Sequence, residues 1–210
     1  MLIGISGKKQ SGKNTVSNII RSISILDTQQ ISNIDKLNFI STLITTGLAK
    51  YNNTIYHTYS SKFIELSFAD KVKDIASVIT NEPKYKYNTE SFKQTTFNLL
   101  NITHRELLQK IGEGLRKSID PDIWVKLLLS NYNPDNNIII TDVRYKNEAD
   151  MIKNLNGILI RINRDTGYID NHKSEIDLND YNFDYEINND SDLNELILKT
   201  ITVYNNIKWK

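Results

Sequence analysis

Three groups of residues in this chain have types and spacings that can do chemistry on phosphates. The first is "GKKQSGKNT", residues 7–15, where Gly7, Gly12 and Lys13 satisfy the pattern GxxxxGK. Glycines let such a loop turn tightly, its amides point inward, and a following helix N-terminus adds positive potential. Gly7, Lys8, Ser11, Gly12, Lys13, Asn14 and Thr15 are therefore the candidate nucleotide-phosphate ligands. Lys13 is the cation that neutralises charge moving during phosphoryl transfer. The second group is "TDVR", where Asp142 and Arg144 close an apolar run. Asp142 can hold a divalent cation through water, and Arg144 can grip a phosphate bidentately. The alternative for Arg144 is an ordinary strand-end ion pair with Glu148. The third group is "RELLQKIGEGLRKSIDPDIW", with Arg105, Gln109 and Arg116 at spacings that share one helical face. Two arginines and an amide there suit a monophosphate and a base edge, although a solvated basic face has the same pattern. Gly112 and Gly114 weaken that helix, and close approach of a ligand is one reason to keep them.

Asn14 departs from the loop rule, which asks for Ser or Thr to touch the metal of a bound nucleotide. An amide oxygen can serve a hard cation directly or through water. Asn14 and Asp142 are accordingly the expected Mg²⁺ ligands, and Thr15 supplies a hydroxyl toward the α-phosphate.

These groups need elements to position them. "LIGIS" at 2–6 reads as a buried strand and 13–25 as a helix with Val16, Ile19, Ile20 and Ile23 on one face. Strands are also expected at 62–68, 137–143, 157–163 and 183–188. Helices are expected at 69–80 and 103–119, the latter opened by a Thr103–Glu106 capping box. Further helices are expected from Pro121 to 132, over 146–155 with a stop at Asn156-Gly157, and from a Ser191 cap to 204. Strands thus alternate with helices, which predicts a parallel sheet covered on both faces. Residues 27–62 read as an insertion with one helix near 37–49, and 81–101 as a loop. The whole, 1–210, reads as one domain.

Composition narrows the function classes. The chain has 210 residues, a net charge of +1, 39% hydrophobic residues and no cysteine. No global basic field points to a nucleic acid polymer, and disulfides and cysteine metal sites are excluded. No apolar stretch approaches the roughly 20 residues of a membrane span, so no membrane partner is expected and a cytoplasmic location is. The base-reading NKxD of GTPases is absent. The strand "IIITD" lacks the Asp-Glu pair of motor ATPases, Val143 following Asp142. A nucleotide-dependent binding module would leave the arginine set unexplained.

Together, "SGKKQSGKNT", "FADKVK", "RELLQKIGEGLRKSIDPDIWV", "IITDVRYKNEAD" and "GILIRINR…HKSE" resemble the deoxynucleoside monophosphate kinases of tailed bacteriophages, within the P-loop nucleoside monophosphate kinase group. The resemblance spans most of the chain apart from 27–62 and 81–101. Asn14 departs from it, since relatives commonly carry Asp in GKDT.

The resemblance implies an ATP-dependent enzyme that converts deoxynucleoside monophosphates (dNMPs) to diphosphates, with Mg²⁺. It implies a three-layer α/β fold whose five parallel strands run in the order 2-3-1-4-5. It assigns substrate or catalytic roles to Arg116, Lys117, Asp120 and Arg144, and borders the monophosphate pocket with Phe68, Ala69 and Lys71. The substrate-binding region would then be 81–118. A lid over 164–181 would carry Arg164, His172 and Glu175, Arg164 acting on the transferred phosphoryl. Trp124 would stack on a base or fill the core. Relatives suggest a homodimer, which no residue pattern here marks. The nearest alternative is another small-molecule P-loop kinase, such as one acting on dephospho-coenzyme A.

Overall fold

A computed structural model describes residues 1–26, 33–45, 61–165, 167 and 172–208. The chain divides into two compact units, Met1–Leu66 with Asn133–Lys210, and Ser67–Tyr132.

The first unit holds β1 (Leu2–Gly7), α1 (Lys13–Leu26), α2 (Asn33–Thr45) and β2 (Phe63–Leu66). After the second unit come β5 (Asn137–Val143), α7 (Lys146–Asn154), β6 (Ile158–Asn163), α8 (Lys173–Ile176), β7 (Tyr185–Asn188) and α9 (Leu193–Lys208). Its sheet has the order β2-β5-β1-β6-β7, and every neighbouring pair is parallel. Counted along the chain among these sheet strands, the order is 2-3-1-4-5, as expected. The Asp142 strand therefore lies directly beside the loop strand, with Leu2 opposite Ile138 and Ser6 opposite Val143.

Both faces of the sheet are covered, because alternate residues of each strand point to opposite sides. On one face Ile3, Ile5, Ile139, Ile160, Ile162 and Ile187 pack with Val16, Ile19, Ile20 and Ile23 of α1 and Leu196, Ile197 and Ile201 of α9. On the other, α7 comes so close to β1 that a Cβ on Gly4 would lie 2.5 Å from Ile152 Cδ1. A larger residue at position 4 would force the Ile152 and Leu159 side chains to shift.

The second unit holds α3 (Ala69–Thr80), a 3-10 turn (Lys84–Asn88), α4 (Glu90–Gln94), a hairpin of β3 (Thr96–Phe97) and β4 (Ile102–Thr103), α5 (His104–Ser118) and α6 (Ile123–Leu129). The 81–101 segment is thus more structured than the loop the sequence suggests. Its pieces are too short to show a period, and an aromatic cluster holds them. Tyr87 is fully buried and its hydroxyl lies 3.2 Å from His104 Nδ1. The Phe92 and His104 rings are 4.2 Å apart. Burial pushes the His104 pKa down.

Several boundaries differ from expectation for local reasons. β2 is shorter than 62–68, since Phe68 already has helical backbone as the N-cap of α3. Pro121 is not the first residue of α6. The Asp120 carboxylate accepts from the Asp122 amide at 2.7 Å, and the turn this makes delays the helix to Ile123. α9 is capped by Asp192, whose carboxylate accepts from the Glu195 amide at 2.9 Å, rather than by Ser191. The Thr103–Glu106 capping box of α5 is present as expected. The helix expected over 37–49 is α2, four residues earlier, and residues 46–49 of it lie outside the described residues.

Gly112 and Gly114 lie inside α5, and a Cβ on either would meet nothing within 4 Å among the described residues. Neither has the positive φ that would call for glycine. Gly114→Ala should therefore stabilise the protein by about 0.5–1 kcal/mol, through helix propensity and a less flexible unfolded chain. A urea titration should show the higher midpoint with an unchanged slope.

Candidate active site

The loop between β1 and α1 is built from backbone that few residues tolerate. Gly7 has φ +156, Gln10 +64 and Gly12 +102. A Cβ on Gly7 would sit 2.6 Å from the Ile162 carbonyl, and one on Gly12 would sit 2.5 Å from Asn189 Nδ2. Both glycines are therefore required by conformation and by space. The loop is braced from β7's far end, where buried Asn189 donates from Nδ2 to the Ser11 carbonyl at 2.9 Å. Among the described residues the buried Ser11 hydroxyl has no hydrogen-bond partner.

Lys13 stands at the first position of α1 and folds back over the loop. Its ammonium donates to the carbonyls of Gly7 at 2.6 Å and Lys8 at 2.7 Å. Burial is the main force that brings its pKa down to about 7, and the charges of Arg144 and Arg161 push the same way. Glu175 and Asp142 oppose them. Two neutral oxygens replace water without supplying a charge, so the site favours an incoming anion.

The carboxyl end of β5 delivers the next two groups. Asp142 is half-buried on the strand, within electrostatic reach of Lys13. Arg144 follows the strand, and Glu148 accepts from the Arg144 amide at 2.8 Å and the Tyr145 amide at 3.1 Å. Glu148 thus caps α7 and fixes where Arg144 starts. The Arg144 guanidinium pairs with Glu175 of α8. The ion pair weighed for Arg144 exists, but its partner is Glu175. The other Glu175 oxygen accepts from the Lys9 amide of the loop at 2.9 Å. His172 caps α8, its Nδ1 accepting from the Ser174 amide at 3.2 Å.

Arg161 was not singled out in the sequence, yet it reaches the same end of the sheet. It lies opposite Ser6 in register and donates to the Ser6 hydroxyl at 3.0 Å. Its guanidinium rests 5.4 Å from the centre of the Phe183 ring, and burial lowers its pKa. A charged residue inside the otherwise apolar "ILIRIN" was the available signal. Asn189 carried no comparable signal, since a polar residue after a strand is ordinary. Arg164 is exposed just beyond β6. Asn14 and Thr15 lie on the first turn of α1, Asn14 exposed and Thr15 half-buried.

Among the described residues no group of three or more His, Asp or Glu side chains could hold a metal alone. Mg²⁺ keeps most of its waters and takes one or two protein oxygens besides substrate phosphates, and half-buried Asp142 near the end of β5 is a carboxylate of that kind.

The second unit carries the other expected residues. Phe68 is buried at the start of α3, Ala69 is half-buried, and exposed Lys71 lies 3.6 Å from Asp74. On α5, Arg105 pairs with Glu90, and its buried Nε has no partner among the described residues. Gln109 is half-buried on the same helix. Arg116 donates to the Pro121 carbonyl at 3.3 Å. Lys117 is 80% exposed, the surface position expected of an ordinary lysine. Asp120 pairs with Lys126, which holds its carboxyl below the usual carboxylate range. Trp124 is 2% exposed and donates from its indole to the Gly112 carbonyl at 2.9 Å, so it fills the core of this unit.

Sheet order, loop geometry and the cations around the loop define a P-loop protein with nucleoside-monophosphate-kinase topology. Comparison with known proteins agrees. The family model for deoxynucleotide monophosphate kinase matches residues 27–200. A protein of Acanthamoeba polyphaga mimivirus, provisionally named a deoxynucleotide monophosphate kinase, is 28% identical over 225 residues, covering 98% of this chain and 97% of its own. The chain belongs to the deoxynucleotide monophosphate kinase family. This relative comes from a virus of Acanthamoeba rather than from a bacteriophage. No helix among the described residues is long and apolar enough to cross a membrane.

The lowered Lys13 pKa has a testable sign. Between about pH 7 and 10.5 the folded, ligand-free protein binds fewer protons at Lys13 than the unfolded chain. This group's contribution to stability therefore rises with pH across that window. A bound polyphosphate favours the charged ammonium and raises its pKa again. Nucleotide binding at about pH 8.5 should then take up close to one proton per site. Calorimetry in two buffers of different ionisation heat should detect the uptake, and Lys13→Met should abolish it.

Proposed function

We propose that the protein transfers the γ-phosphoryl of ATP to deoxynucleoside 5'-monophosphates, giving ADP and deoxynucleoside diphosphates. Membership of the family supports the class of reaction. The observation that carries the donor half is Lys13, folded on two loop carbonyls with its pKa depressed, beside Arg144 and Arg161.

Phosphoryl transfer between two anions needs alignment and charge cancellation more than covalent help. Lys13 swings from the Gly7 and Lys8 carbonyls onto the donor's phosphates, which the loop amides from Lys8 to Thr15 receive. Asp142 and the Asn14 amide oxygen would hold Mg²⁺, directly or through water, and the ion would supply charge neutralisation for the phosphates. Arg144 offers a planar fork to the acceptor phosphate. No general base is required, since a monophosphate with a second pKa of about 6 is already largely ionised at neutral pH.

For the acceptor we assign Arg105, Gln109 and Arg116 on α5 as ligands of the monophosphate and base, with Phe68, Ala69 and Lys71 bordering it. Lys117 and Asp120 follow from the same motif, Asp120 acting by shaping the turn that starts α6. The region 81–118 is the substrate-binding part and 164–181 the lid, of which 166 and 168–171 lie outside the described residues, with Arg164 serving the donor and His172 and Glu175 at its return. Excluding water there prevents loss of the phosphoryl group to hydrolysis. The protein acts on small molecules in the cytoplasm, as a monomer or homodimer.

An ADP-release assay over the four dNMPs, the ribonucleotide monophosphates and dephospho-coenzyme A tests this reading. Turnover is expected with one or more dNMPs, and Lys13→Ala should lower kcat by 100-fold or more, on the order of the loss seen when one transition-state contact is removed. Turnover confined to dephospho-coenzyme A, or a Lys13→Ala protein with the parent rate, would overturn it.

A further inference from the structure

The Glu175 carboxylate is held by two groups of the kinds that receive phosphate oxygens, a loop amide and a guanidinium. One oxygen accepts from the Lys9 amide of the phosphate loop at 2.9 Å, and the other is paired with Arg144. The side chain is 9% exposed, and its charge is felt at Lys13. A backbone amide of a glycine loop, a guanidinium fork and a nearby ammonium are the groups that recognise phosphate oxygens. A carboxylate spanning the first two has the charge and oxygen spacing to stand in for one.

Glu175 is presented there by a short, firmly held element. His172 caps α8 from one end, and the Asp177 carboxylate accepts from the Lys146 amide at 2.9 Å, fastening the other end to the start of α7. The Glu175 amide itself donates to the His172 carbonyl at 2.8 Å. The carboxylate is thus directed into the cradle by a built turn, not by a wandering side chain.

We infer that Glu175 is an internal stand-in for phosphate, which occupies the cradle in the substrate-free protein and must be displaced from the Lys9 amide and Arg144 before both substrates can be held. This rests on the kinase reading above and gives one of its residues a different task. While Glu175 is in place, Arg144 is neutralised and one loop amide is already satisfied. An arriving polyphosphate must compete with it, so observed affinity is reduced by the fraction of molecules in which the cradle is closed. Arrival of the acceptor phosphate on Arg144 removes one of the two bonds holding Glu175, and so favours the state that admits the donor.

A structural ion pair makes the opposite prediction, since losing Glu175 would then loosen the loop and weaken nucleotide binding. The test is equilibrium binding of a non-hydrolysable ATP analogue and of pyrophosphate, without acceptor, to the parent protein, Glu175→Gln and Glu175→Asp. Both variants should bind more tightly, by on the order of tenfold for Glu175→Gln. In addition, the parent's affinity for the analogue should rise when dNMP is present, and that rise should shrink in the variants. Asp is one methylene shorter and cannot span the Lys9 amide and Arg144 together, so it carries the test if Glu175→Gln does not fold. Unchanged or weaker binding in the folded variants overturns the inference. A parent protein that binds no ATP analogue and transfers no phosphoryl would instead overturn the kinase reading.

Discussion

Two peptide carbonyls, those of Gly7 and Lys8, hold the ammonium of Lys13, and the rest of the candidate nucleotide site follows from that arrangement. Oxygen dipoles satisfy the ammonium's hydrogens but do not cancel its charge. Burial then makes the charged form costly, which is why its pKa falls to about 7. A cation kept in this condition gains more from an arriving anion than a solvated lysine would. The loop must bend sharply to bring its carbonyls under Lys13, which explains the positive φ angles at Gly7, Gln10 and Gly12 and the brace from Asn189.

The sheet order supplies the partners of Lys13. Placing β5 and β6 on either side of β1 brings Asp142 and Arg144 from one neighbour and Arg161 from the other to the same end. Ligands of open parallel sheets bind at the carboxyl ends of the strands, and here Lys13, Arg144 and Arg161 gather there with Asp142 and Glu175, the two carboxylates that oppose the fall in the Lys13 pKa. Arg161 and Arg144 differ in how they are held. Arg161 is locked by the Ser6 hydroxyl and the Phe183 ring. Arg144 is held by a side chain that can leave.

Much of this was legible in the sequence. The strand–loop–helix around residues 7–13, the apolar run ending at Asp142 and the capping box at Thr103 each combine a period with a terminator, and each was found where expected. What stayed hidden depends on long-range contacts. Asn189 meets Ser11 across 178 positions of sequence, and only the parallel order of strands brings them together. The partner of Arg144 is 31 residues away rather than the nearby Glu148. The short pieces of 81–101 show no period because packing of Tyr87, Phe92 and His104, rather than propensity, holds them. Where side chains compete with the backbone, boundaries moved by a residue or two, as at Asp120 and Asp192.

The proposed reaction passes a phosphoryl group from one nucleotide to another in this cradle. Phosphorus NMR of the protein mixed with ATP, a dNMP and Mg²⁺ tests it most directly, since it identifies the bond that is made. The γ-phosphorus signal of ATP should disappear as the β-phosphorus signal of a deoxynucleoside diphosphate grows, one for one, with ADP as the other product. Loss of the γ-signal into inorganic phosphate alone, with the dNMP unchanged, would contradict it.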